Sequence, residues 1–75
     1  MPLELETGLQ VGKVVEITAA SPKSFEDAIA VGIARASKTL KKVKGAWVKE
    51  QKVIVRDGKV AEFRVDLKVT FVLED

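Results

Sequence analysis

"KVAEFRVDLKVTFVL", residues 59 to 73, alternates apolar and polar side chains from Ala61 to Phe71. Ala61, Phe63, Val65, Leu67, Val69, Phe71 and Leu73 share one side, and Glu62, Arg64, Asp66, Lys68 and Thr70 share the other. A period of two is that of a β-strand with one face in a core and one outside it. Immediately upstream, "GAWVKEQKVIVR", residues 45 to 56, is a second strand-like run. Asp57-Gly58 lies between the two, and an Asp-Gly pair flanked by β-formers predicts a tight hairpin.

Further back, "SPKSFEDAIAVGIARASKTL", residues 21 to 40, changes period. Phe25, Ala28, Ile29, Gly32, Ile33, Ala36 and Leu40 recur at three and four residue spacing, the signature of one helix face. Ser24 and Asp27 resemble a capping box, and Glu26 and Asp27 suit the positive end of the helix dipole. Lys38 to Lys42 are expected to finish the helix. Gly32 and the alanines make its apolar stripe thin, which allows close approach. Before it, "VGKVVEIT", residues 11 to 18, reads as a strand. The order is β-α-β-β, an α+β fold of one helix on a three-stranded antiparallel sheet. Residues 1 to 10 read as a loose N-terminal extension to a single domain at residues 11 to 75.

With 75 residues, a chain buries only about 60% of the surface it exposes when unfolded, so its own core is marginal. It has no cysteine and no histidine. Disulfides and thiolate zinc sites are excluded, and so is the commonest general base near neutral pH. Self-association is the remaining stabilising device. No apolar run reaches the roughly 18 residues of a membrane span, and no signal-peptide pattern opens the chain, so a cytoplasmic protein is expected.

No catalytic constellation stands out. Ser21, Ser24 and Ser37 lack a histidine partner, and Glu26 and Asp27 diverge by about 100° on a helix and suit capping better than paired acid-base work. The glycines are isolated, so no phosphate loop is present. Asp57 is a turn residue, Glu74 and Asp75 a solvated chain end, and no metal site is predicted. An enzyme is not expected. Lys38, Lys41, Lys42, Lys44, Lys49 and Lys52 form a basic cluster with only Glu50 against them, although the net charge is just +2. That cluster admits nucleic-acid binding as one reading and a solvated helix end as another.

Trp47, the one tryptophan, falls on a strand that alternation would place beside Lys49 and Gln51. On that pattern Val48 and Ile54 take one side, and Trp47, Val53 and Val55 the other. A face carrying both charges and a large aromatic suits subunit packing or ligand stacking.

"KVVEITAASPKSFEDAIAVGIARASKTL" resembles the N-terminal half of the dodecins, and "DGKVAEFRVDLKVTFVLE" is similar to their last strand. The resemblance covers residues 11 to 74 without a gap. It implies a hollow homododecamer with the three-stranded sheet wrapped around the helix, and a protein that binds flavins (riboflavin or FMN) for storage or sequestration without being an enzyme. In flavin-binding dodecins a tryptophan near the start of the second strand stacks on the flavin, and a glutamine on the third strand bonds its polar edge. Aligned without gaps, these positions are Gly45 and Arg64 here, with Trp47 two residues beyond Gly45. Gly45, Trp47 and Arg64 are therefore the candidate flavin-binding residues. The alternatives are a flavin-free dodecin-like assembly with a structural or ion-binding cavity and, third, a small basic nucleic-acid binder.

Overall fold

The computed structural model describes residues 11–73. The expected extension at residues 1–10 lies outside them, as do Glu74 and Asp75. Strand β1 (Gly12–Ser21) leads into helix α1 (Phe25–Thr39), followed by strands β2 (Val43–Arg56) and β3 (Lys59–Val72). The sheet is antiparallel throughout, with β3 between the other two. This central place explains why β3 alternates most cleanly. It has a neighbour on each edge and the helix over one face.

Val65, Leu67 and Val69 of β3 are almost wholly buried beneath α1, together with Ala28 of the helix. Ile17 and Val15 of β1 and Ile29 and Ile33 of α1 pack around them. Burying a valine or leucine fully stabilises by about 1.5–3 kcal/mol, so these few residues carry much of the core. Phe25 and Phe63 close one end in an edge-to-face contact with ring centres 5.1 Å apart. The thin stripe works as its composition predicts, because a Cβ on Gly32 would come within 3.0 Å of the Ala19 methyl. At the far end of β3 the alternation lapses, with Val72 buried and Leu73 half exposed.

Local chemistry sets the boundaries. The amide of Asp27 donates to Ser24 Oγ at 2.9 Å, as a helix cap should. The Asp27 carboxylate, however, accepts from the Ser21 hydroxyl at 2.6 Å, which fastens the start of α1 to the end of β1. Strand β1 accordingly runs to Ser21, three residues past the expected end at Thr18. The helix stops at Thr39, where the Leu40 amide still donates to the Ala36 carbonyl. Of the lysines expected to finish it, only Lys38 lies in the last turn. Lys42 has φ +55° as the chain turns back into the sheet. Asp57 and Gly58 both take left-handed backbone angles (φ +53° and +76°), the geometry of a type I′ hairpin turn.

Strand β2 corrects the simple alternation. Its pairing with β3 shifts register between Val43 and Gly45, between Val48 and Glu50, and between Ile54 and Val55. The middle shift makes Lys49 an extra residue, so that Trp47 aligns with Glu50 and Lys52, while Gln51 and Val53 turn to the helix side. Val53 thus does not share the outer face with Trp47, and Ile54 does. The helix packs chiefly on β1 and β3, and β2 stands out from beneath it with almost every residue exposed.

Candidate functional site

The face of the sheet turned away from α1 is built of cross-strand rungs read directly from the register. Val14, Thr70 and Gly45 form the first, and Glu16, Lys68 and Trp47 the second. Thr18, Asp66 and Glu50 form the third, and Ala20, Arg64 and Lys52 the fourth. Successive rungs are two residues apart along β3, or roughly 7 Å.

Gly45 and Trp47 are therefore neighbours. Nothing lies within 4 Å of the position a Gly45 side chain would take, and the Trp47 ring is 52% exposed beside that open space. Lys68 Nζ sits 5.9 Å from the ring centre, a cation over an aromatic face. Arg64 lies two rungs away from Trp47, roughly 13 Å along β3. Its Nε donates to Glu62 Oε1 at 2.9 Å. It lines a depression of about 270 Å³ together with Thr18, Glu50, Lys52 and Asp66. The three candidate residues share one face, but within a protomer only Gly45 and Trp47 are adjacent.

Between Trp47 and Arg64 lies a charged network absent from the sequence-based site. Lys49 reaches across the sheet to Glu16, Nζ to Oε2 at 3.2 Å. The Asp66 Oδ1 atom is buried, with no donor bonded to it. Glu16 and Asp66 lie on adjacent rungs of this face, and a hydrogen bond between the two carboxyl groups is the leading influence on both. That bond lowers the Glu16 pKa, with help from Lys49. It raises the pKa of Asp66, with partial burial acting in the same direction. The bond to Glu16 also raises the Lys49 pKa. Lys68 and Asp66 were legible as outward positions in the alternation of β3. The reach of Lys49 was not, because it depends on the bulge.

No histidine or cysteine accompanies these residues. Among the described residues no set of three or more metal-ligating side chains is arranged to hold an ion. What the face offers is an exposed indole, an adjoining open space and a polar floor of mixed charge. These features suit binding of a flat, polar-edged molecule.

The dodecin family model matches residues 11–74. The chain belongs to the dodecin family. It is 38% identical over 66 residues to the dodecin of Thermus thermophilus, covering 88% of this chain and 96% of that one. Among solved structures, the dodecin of Streptomyces davaonensis superposes with a TM-score of 0.87 at 34% identity, covering 91% of this chain and 100% of that one. The Mycobacterium tuberculosis protein described as a calcium dodecin with a novel calcium-binding site gives 0.75 at 35% identity, covering 85% and 91% of the two chains. The β-α-β-β order and the central third strand are thus those of a dodecin. Among the described residues of this dodecin no helix is long and apolar enough to cross a membrane.

Proposed function

We propose that this dodecin is a homododecameric, non-enzymatic carrier that sequesters a flavin (riboflavin or FMN) in the cytoplasm against the outer face of its sheet. The half-exposed Trp47 ring beside the empty Gly45 position carries this reading. A two-residue step along β2 keeps the strand face, so Trp47 takes over as the stacking surface from the position the family pattern gives to Gly45. Ring stacking contributes about 1–3 kcal/mol, by analogy with bases on aromatic side chains. Arg64 and the depression it lines lie beyond the Thr18–Asp66–Glu50 rung, where they meet the far, polar end of a ligand centred on Trp47. A guanidinium suits a carbonyl or a phosphate there.

One observation favours a second reading. The charges of Glu16, Lys49 and Asp66 occupy the middle of the face, as a flavin-free assembly with a polar or ion-binding cavity would require. The calcium site named for the mycobacterial relative makes a cation the ligand to try in that case. The nucleic-acid reading weakens, because Lys49 is paired to Glu16 and Lys52 lies beside Arg64 on the sheet face, apart from Lys38 and Lys41 near the end of α1.

Titration of riboflavin and FMN, followed by quenching of the ligand's fluorescence, tests the proposal. Binding that weakens roughly tenfold to a hundredfold in Trp47→Ala, with the assembly intact, supports stacking, since such losses correspond to the 1–3 kcal/mol expected of it. Failure of either flavin to bind the unmodified protein leaves the flavin-free reading.

A further inference from the structure

Asp66 stands at the centre of the outer face, on the middle strand and on the rung between those of Trp47 and Arg64. Charged groups face it from all three strands. Strand β1 brings Glu16, β2 brings Lys49, Glu50 and Lys52, and β3 brings Arg64 and Lys68. Helix α1 lies against the opposite face and brings none. Three of the cations are engaged elsewhere. Lys49 is bonded to Glu16, Arg64 to Glu62, and Lys68 lies over the Trp47 ring.

The Asp66 Oδ1 atom, meanwhile, is buried with no donor bonded to it. An ionised carboxylate in that position loses hydration and meets the like charge of Glu16. The neutral acid avoids both costs, because its hydroxyl can donate to Glu16. The directions of the two pKa values agree with this, Asp66 being raised first by the bond to Glu16 and Glu16 lowered by the same bond and by Lys49. Asp66 is thus the member of the pair that takes a proton first as pH falls.

A ligand centred on Trp47 and reaching Arg64, roughly 13 Å away, has to cross the Asp66 rung. In the free chain Asp66 is only partly covered. A ligand laid over it removes the remaining water, which penalises the charged form and spares the neutral one. We propose that flavin binding at this face is coupled to protonation of Asp66, each ligand being taken up together with a proton from solvent and released as that proton is lost. The proposal rests on the flavin reading above and adds the regulation of that site. Lys49 serves it by keeping Glu16 ionised as the acceptor of the Asp66 proton. One proton per ligand changes affinity by at most about tenfold per pH unit, within the interval between the pKa values of Asp66 in the free and the occupied protein.

Riboflavin is the probe, since its ring does not change charge from mildly acid to neutral pH and it carries no phosphate to titrate. Calorimetric titration of the full chain in buffers of different ionisation enthalpy counts the protons taken up per ligand. Uptake of a substantial fraction of a proton is expected, with affinity rising several-fold from neutral to mildly acid pH. Asp66→Asn keeps the neutral shape, so it should bind without proton uptake and several-fold more tightly than the unmodified protein at neutral pH. Glu16→Gln removes the like charge and should move the pH profile toward acid. Light scattering at each pH keeps the comparison to one assembly state. Binding without proton uptake in the unmodified protein overturns the proposal and leaves the flavin reading standing. An unchanged pH profile in Asp66→Asn overturns it too, because the titrating group would then lie elsewhere. Riboflavin bound at no pH removes the flavin reading and this proposal with it.

Discussion

Lys68 Nζ stands 5.9 Å from the centre of the Trp47 ring, its partner across the β2–β3 pair. The pair joins the only tryptophan of the chain to the central strand, and it occupies one of the ring's two faces. Replacing the lysine with methionine keeps the length of the side chain and removes the charge. Lys68→Met should lower stability by about 0.5–1 kcal/mol, the usual worth of an exposed cation–π contact. Denaturant unfolding with Trp47 emission as the probe measures it, and a change within error would show the contact to be energetically idle.

Gly45 offers a gain-of-function test. Its surroundings are open and its backbone lies outside the left-handed region, so a large L-residue is sterically admissible. Gly45→Trp should raise riboflavin affinity by roughly tenfold or more, because stacking adds about 1–3 kcal/mol. Quenching titrations of the two proteins side by side decide the matter. No gain would mean that the strand is too displaced for a ring at this position to reach the ligand.

Asp66 predicts an unusual pH response. Its pKa is raised in the folded protein, first by the hydrogen bond to Glu16 and then by burial. A raised acid favours folding below its unfolded pKa, and that contribution is lost as pH rises through the folded value. Glu16 is lowered and acts in the opposite sense, with stability present above its unfolded pKa and lost on acidification through the folded value. Asp66→Asn should therefore stabilise the protein at neutral pH, with the difference shrinking toward acid. Thermal unfolding between acidic and neutral pH measures it, and a neutral-pH loss of stability would show that the charged form of Asp66 is wanted there.

The tight seam between helix and sheet predicts that a single methyl will be felt. Alanine at position 32 would gain about 1 kcal/mol of helix propensity. Its Cβ would however meet Ala19 Cβ at 3.0 Å and Leu67 Cδ1 at 3.2 Å. The Ala19 methyl is held on the backbone of β1 and has no rotamer by which to withdraw. Gly32→Ala should thus destabilise by about 1–3 kcal/mol, the usual cost of overpacking, as read by denaturant midpoint. A stabilised variant would mean that α1 can lift off β1 without loss.

Periodicity alone determined the four elements, their order and the hairpin of this dodecin, because each is written in local chemistry. Alternation marks β3, three and four residue spacing marks α1, and Asp57-Gly58 can adopt the two left-handed conformations its turn requires. The same alternation put Arg64, Asp66 and Lys68 on one face. Only the tertiary structure decided how β2 lies on that frame. A bulge is a property of a pair of strands, so Lys49 as an extra residue, the turn of Val53 to the helix side and the salt bridge to Glu16 had no signal within β2 itself. The separation of Trp47 from Arg64 is likewise a matter of register, and so is the proximity of Glu16 to Asp66, residues fifty positions apart in the chain. Pairing in a sheet is chosen by the total burial of both faces, and that sum exists only once all three strands and the helix are in place.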